Sequence, residues 1–333
     1  MKTFEFSRPS DLRTAATMAS QAKTAQQGAD IRYIAGGTTL IDLMKLNVET
    51  PQRVLDINRL PLDAIERTPE GGLKIGATVR NAALAHHPAV KRDYPVLSQA
   101  ILNGASAQLR NMATTAGNLL QRTRCMYFRD PAMPCNKREP GTGCPAITGA
   151  NRNLAVLGTS DHCIANHPSD MCVAMAALEA TIHVQGPKGE RVIPFHEFHL
   201  LPGKTPDRET VLEPGDLITH VTLPPSTPDA KQFYLKLRDR ASYEFALASA
   251  AVVIHQRDHI ITRARIALGG VGAKPWRSLE AEATLVGQTA DQANFRNAAD
   301  AAMRDAKPQS QNGFKIELAK RCLTYALHTA MTA

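Results

Sequence analysis

The sequence predicts an α+β fold in two parts. Strands alternate with helical patterns through the first third, a proline-rich run at Pro224–Pro228 reads as a linker, and β-rich segments followed by helices lie beyond it. Arg32–Ala35 reads as a strand, closed by Gly36-Gly37 and followed by a helix from Thr38 to Leu46 with Thr38 and Thr39 as N-cap candidates. Val54–Ile57 and Leu73–Ala77 read as further strands. From Gly104 to Pro168 the periodicity fades into a long irregular segment, which in a compact domain calls for a functional anchor. A helix over Ser169–Leu178, a strand over Ala180–Gln185 and a strand over Leu217–Leu223 follow, with loop between the two strands from Pro194 onward. After a boundary near Thr227, Phe233–Leu237, Phe245–His255 and His259–Leu268 read as strands, and helices run from Ser278 to the C-terminus.

With 333 residues, 43% of them hydrophobic and 21% charged, the chain has an ordinary globular composition and enough length for two or three cores without disulfides. There is no apolar run long enough to span a bilayer. The N-terminus lacks a secretory core, so the chain is expected in the cytoplasm unless a partner carries it elsewhere. The net charge of +8 does not form a basic stripe interleaved with aromatics, which argues against nucleic acid. Between Ala105 and Ala155 seven basic residues (Arg110, Arg122, Arg124, Arg129, Lys137, Arg138, Arg152) stand against Asp130 and Glu139, leaving +5 there. Either an anion sits among them or they form a solvated face.

Four cysteines share that segment, spaced Cys125-x9-Cys135-x8-Cys144-x18-Cys163. The absence of any C-x-x-C knuckle disfavours structural zinc. Disulfides are disfavoured in a chain without an export signal. A cubane iron–sulfur cluster tolerates such spacings where a loop wraps it, and would carry a charge of about −2 for the arginines to offset. Pattern alone leaves cluster, zinc and unliganded thiols open. Cys172 and Cys322, on predicted helices, read as core residues.

Three shorter motifs accompany the cysteines. Ala35-Gly36-Gly37-Thr38-Thr39-Leu40 places a glycine pair where strand meets helix, suited to a phosphate or to a plain turn. Arg110–Asn118, ending in Thr114-Thr115-Ala116-Gly117-Asn118, suits close approach of backbone to a ligand, or an ordinary Asn/Gly turn. In His167-Pro168-Ser169-Asp170, Ser169 or Asp170 caps the following helix, and Asp170 is also placed to hold a ribose hydroxyl.

Taken with Leu119 and with Lys236 and Arg238-Asp239-Arg240, these motifs resemble the FAD-binding medium subunit of the xanthine dehydrogenase/aldehyde oxidase family of molybdenum hydroxylases over nearly the whole chain. Within that family the chain is most similar to the iron–sulfur, FAD-binding subunit of the bacterial periplasmic aldehyde oxidoreductase type, because Asn118 and Ser169 bracket all four cysteines. The resemblance implies a two-part FAD-binding domain of the vanillyl-alcohol-oxidase/CO-dehydrogenase flavoprotein type over 1–226, an insertion at 119–168 carrying a [4Fe-4S] cluster, and the family's C-terminal domain over 229–333. Gly36, Gly37, Thr38 and Thr39, with Ala35 and Leu40 beside them, are implied to cradle the pyrophosphate. Thr115, Gly117 and Asn118 are implied at the ribityl and phosphate region, Asp170 on a hydroxyl, Ile218 at the isoalloxazine and Lys236 near its N1/O2 edge. Cys125, Cys135, Cys144 and Cys163 are the implied cluster ligands. Ala116 departs from the family's usual Gly-Gly-Asn and puts the local backbone angles in question. Tyr127, Phe128, Tyr243 and Phe245 are candidates to shield a cofactor, with core packing as their expected role.

The same resemblance implies an electron-transfer subunit without catalytic residues of its own, partnered by a large molybdenum-cofactor subunit and a small [2Fe-2S] subunit. It would pass electrons to an external acceptor and reach the periplasm by co-export with a partner. A hydroxybenzoyl-CoA reductase-like subunit is the enzymic alternative, and a zinc-stapled RNA-binding protein the non-enzymic one.

Overall fold

The computed structural model describes residues 1–332. Short strands β1 (Glu5–Ser7), β2 (Ile31–Ile34) and β3 (Arg53–Asp56) form a parallel sheet in the order β1-β3-β2. A second, antiparallel sheet joins β4 (Ile65–Arg67), β5 (Leu73–Gly76), β6 (Thr181–Gly186), β7 (Gly189–Pro194) and β8 (Leu217–Leu223) in the order β4-β5-β8-β6-β7. The third, also antiparallel, holds β9 (Lys231–Leu237), β10 (Ala248–Arg257), β11 (Ile260–Gly269) and β12 (Trp276–Arg277) in the order β12-β11-β10-β9.

The helix Asp170–Ala177 lies at the centre. All eight of its residues are buried, as expected of a helix apolar on every side, and it packs on β10, β11 and the helix Pro95–Asn103. Ser169 caps it, its hydroxyl accepting from Cys172 N at 3.0 Å, which leaves the Asp170 carboxylate free for other partners. Strand β7 escapes prediction because it is an edge strand, mostly exposed and rich in charge, so its side chains carry little alternation.

The helix after β2 spans Leu40–Lys45, not Thr38–Leu46. Thr39 already has helical angles (φ −108°, ψ −50°) and makes no side-chain cap, because a capping side chain needs extended backbone at that position. The irregular segment also contains more structure than predicted. Helices span Ala107–Met112, Thr115–Leu119 and Met126–Arg129, and a 3-10 turn spans Pro145–Ile147. Gly117-Asn118 is therefore helical and not a turn, with the Thr114 hydroxyl accepting from Gly117 N at 3.3 Å.

Three helices, Leu279–Leu285, Gln292–Ala302 and Phe314–Thr332, cover the third sheet and build a second core with it. Val156 and Leu157, from the cysteine-bearing segment, belong to this core, and their N–H groups both donate to Val271 O at 2.9 Å. Lys315 Nζ, fully buried, donates to Asn153 O (3.2 Å), Leu154 O (3.0 Å) and Gly270 O (2.6 Å), which uses all three ammonium protons. The stretch between Cys144 and Cys163 is thus fastened to the C-terminal helix.

Candidate cofactor cavity and thiol centre

A cavity of about 250 Å³ opens where β2 ends at the glycine pair. Eight of the predicted cofactor residues line it: Ala35, Gly36, Gly37, Thr38, Thr39, Leu40, Gly117 and Ile218. With no cap to make, the threonine hydroxyls at the start of the Leu40 helix remain available to a ligand. Ala116 also lines the cavity from within its short helix, so its methyl group is accommodated.

The two glycines have different physical reasons. A Cβ on Gly36 would lie 1.9 Å from the main-chain oxygen of Met112, so that residue is squeezed between two backbones. Gly37 takes the left-handed φ of +73°, and its Cβ would meet side-chain atoms alone, the nearest being the terminal Cδ1 of Ile41 at 2.7 Å. Gly36→Ala is therefore expected to remove the FAD that the resemblance implies here and to destabilise by about 1–3 kcal/mol, the usual range for forced overpacking. Gly37→Ala should be milder, about 1–2 kcal/mol for left-handed alanine. Flavin content and melting temperature check the order, and equal behaviour of the two variants would remove the main-chain clash as the cause.

The other four predicted residues lie off the cavity wall. Thr115 is buried with its hydroxyl on Val79 O at 3.2 Å. Asn118 Oδ1 accepts from Ser169 Oγ and from Gln121 Nε2, both at 2.6 Å. Asp170 and Lys236 form a buried ion pair (Oδ2 to Nζ, 2.7 Å), with Tyr234 OH donating to Asp170 Oδ1 at 2.6 Å and Asn103 O accepting from Lys236 at 3.0 Å.

His199, on the cavity wall, has no signal in its own sequence neighbourhood. Its Nε2–H donates to Leu119 O at 3.0 Å, and its ring lies edge-on to that of His167 with centroids 4.6 Å apart. Burial pushes both imidazoles down, His199 to about 4 and His167 well below its ordinary value. Unfolded histidine takes up its proton near pH 6.5, whereas folded His199 stays neutral to about pH 4. Its contribution is therefore complete above pH 6.5 and declines as pH falls toward 4, by about 3 kcal/mol. His199→Gln should flatten that slope in urea midpoints measured from pH 7 to 4.5, and an unchanged slope would exclude His199 as its source.

The four cysteines come together. Cys125, Cys135 and Cys163 are buried, Cys144 is half-buried, and all four surround a void of about 10 Å³ beside Phe128 and Ala146. Burial raises the thiols of Cys125 (to about 11), Cys144 and Cys163. The loops that carry the cysteines are knitted by polar side chains. Asn136 Oδ1 accepts from Gly141 N (3.1 Å) and Gly143 N (2.8 Å), while its Nδ2 donates to His162 O (3.1 Å). Arg138 donates to Tyr127 O (2.9 Å), Phe128 O (2.8 Å) and Met133 O, and Thr142 Oγ1 accepts from Cys135 N at 3.0 Å. Among the described residues, no three of the four sulfurs lie within 4.8 Å of one another. Lys137, Cys163 and Ala165 line both this void and the larger cavity.

Most of the basic excess of this segment is paired with carboxylates from outside it, so it is not a solvated face, while Arg110 and Arg138 bond only main-chain oxygens. Arg124 and Arg129 share Asp42, Arg152 pairs with Asp239 at 2.7 Å, and Lys137 and Arg122 share Glu209, with Glu49 also on Arg122. Burial alone would raise Glu209, but Arg122 and Lys137 outweigh it and hold the carboxyl at about 2. Phe128 packs in the thiol core as expected, whereas Tyr243 and Phe245 are exposed and do not. Phe245 instead lies under the Arg124 guanidinium, 4.9 Å from it.

Comparison with known proteins accounts for both halves. Residues 2–226 match the family model of the FAD binding domain in molybdopterin dehydrogenase, and 232–330 that of the CO dehydrogenase flavoprotein C-terminal domain. The chain is 51% identical over 331 residues to the aldehyde oxidoreductase FAD-binding subunit PaoB of Escherichia coli (strain K12), covering 99% of each. It is 25% identical to the carbon monoxide dehydrogenase medium chain of Hydrogenophaga pseudoflava, covering 98% of this chain and 96% of that one. A solved structure of carbon monoxide dehydrogenase from the same organism, lacking the Mo-pyranopterin moiety of its cofactor, aligns with a TM-score of 0.77 at 25% identity over 99% of this chain and 98% of the other. This chain belongs to the FAD-binding medium subunits of the molybdenum hydroxylase family.

Proposed function

We propose that the chain is the FAD- and [4Fe-4S]-bearing electron-transfer subunit of a molybdenum-dependent aldehyde oxidoreductase. The observation that carries this reading is the shared wall: four cysteines from separate loops converge on one buried point, and Lys137, Cys163 and Ala165 border both that point and a glycine-cradled cavity. Gly36, Gly37, Thr38 and Thr39 would hold the FAD pyrophosphate, and Ile218 would pack on a ring. Thr115, Asn118 and Asp170 act from behind the wall by holding the short Thr115 helix and the Asp170 helix in place, and Lys236 fixes Asp170. Cys125, Cys135, Cys144 and Cys163 would ligate the cluster. The internal pairing of the basic residues removes the support for an RNA-binding role.

FAD supplies two-electron capacity and the cluster one-electron capacity. The 51%-identical relative is named an aldehyde oxidoreductase subunit, which supports aldehydes as substrates of the assembled enzyme. Oxidation would occur on a large molybdenum-cofactor subunit, with a small [2Fe-2S] subunit between the two and an external acceptor beyond. In this reading residues 1–226 are the FAD domain, 229–333 the C-terminal domain, and the complex is exported to the periplasm on a partner's signal. Analysis of the purified complex tests the proposal: FAD, iron and acid-labile sulfide are expected, with a shoulder near 400 nm, the last an approximate position for thiolate-ligated iron. A yellow protein without iron would refute the cluster, and a colourless one the whole reading.

A further inference from the structure

A file of buried and half-buried charges runs from the thiol centre across the cofactor cavity. Lys137 Nζ donates to Glu209 Oε1 at 3.0 Å and to Pro206 O at 2.9 Å. Glu209 also accepts from Arg122, which bonds Glu49 and Gln27 in turn. Glu49 takes Nε and Nη2 of Arg32 at 3.0–3.1 Å, and Arg32 completes its donors on Ala25 O (2.7 Å) and Gln26 O (2.6 Å). All five charged residues border the cavity. Three cations against two anions leave one positive charge in excess, and Arg122 Nη2, on a side chain nine-tenths buried, has no partner. An unsatisfied guanidinium N–H of this kind needs an acceptor.

We propose that this file couples the two centres, so that metal at the four cysteines tightens FAD binding and FAD tightens the hold on the metal. The inference rests on the FAD and iron–sulfur reading above. Lys137 follows Cys135 by two residues, in the loop that Asn136 closes. A metal that draws Cys135 and Cys163 to fixed positions also fixes Lys137. Lys137 then sets Glu209, and Glu209 sets the plane of Arg122, whose free N–H meets an acceptor on the cofactor. Lys137 and Arg122 are positioning residues, and linkage makes the effect reciprocal.

The test uses the assembled wild-type complex. After analysis for iron, FAD is removed and its Kd measured before and after the metal is stripped with an oxidant and a chelator, with circular dichroism confirming that the fold persists. The Kd is expected to rise about tenfold on stripping, a typical coupling. Lys137→Met should retain iron and sulfide yet bind FAD about tenfold more weakly, and Lys137→Arg should restore most of the loss. An FAD Kd indifferent to the metal, or a Lys137→Met complex with wild-type affinity, overturns the coupling. Absence of iron from the wild type overturns the cluster reading itself, and the coupling with it. Should Lys137→Met fail to fold, the stripping measurement on unmutated protein still decides.

Discussion

Under the proposed cluster reading, Cys135→Ser will empty the thiol centre, taking iron and acid-labile sulfide from full occupancy to background. Serine is nearly the same size and leaves the surrounding backbone contacts in place, since Cys135 N still meets Thr142 Oγ1 and Cys135 O still accepts from the Arg138 and Glu139 N–H groups. Only the soft thiolate is lost, and that is the ligand iron–sulfur clusters require. A variant with full iron stoichiometry would exclude Cys135 as a ligand. The same protein separates two roles for the cluster. If substrate still reduces the flavin at the wild-type rate, the centre is a staple that holds its loops together. If reduction or reoxidation slows, it carries electrons.

Asp170→Asn is expected to destabilise the protein by about 3–5 kcal/mol, because it strands the Lys236 ammonium without its anion. Lys236 has a side chain 1% exposed and makes one further bond, to Asn103 O, so water cannot replace the carboxylate. Asparagine still accepts from Tyr234, so the loss isolates charge from shape. For a chain of 333 residues this corresponds to a melting point lower by roughly 6 °C, from the usual unfolding entropy per residue. Adding Lys236→Met should recover much of it, since removing both charges is tolerated far better than removing one. A single variant that melts with the wild type would show the pair to be solvated.

What the sequence made legible was local chemistry. Gly36-Gly37 announced a close-packed turn, and clustering of cysteines in a segment of weak periodicity announced a centre with its own anchor. Long-range pairing was not legible. Glu49 and Glu209, which neutralise Arg122, sit in ordinary contexts 73 and 87 residues from it, and no motif relates them. Arg122, Arg124 and Arg152 therefore read as a basic patch when each already had a carboxylate partner. The hydroxyls of Thr38 and Thr39 matched a capping pattern, but the chain turns helical one residue too early for a cap. Asn136 went unnoticed, and Arg138 was read only as one of a basic group, because Asn and Arg in a loop are unremarkable until their partners are known.

Synthesis order gives the fastening of Lys315 a further meaning. All four cysteines are translated by residue 163, whereas the Asn153 and Leu154 carbonyls, between the third and fourth of them, wait for an ammonium at residue 315. Val156 and Leu157 likewise wait for Val271. Until the last helix is made, the segment has thiols but no foundation. Under the cluster reading proposed above, metal is loaded into the finished polypeptide, since a truncated chain lacks the contacts that complete the site. The protein's last helix acts, in effect, as its release certificate.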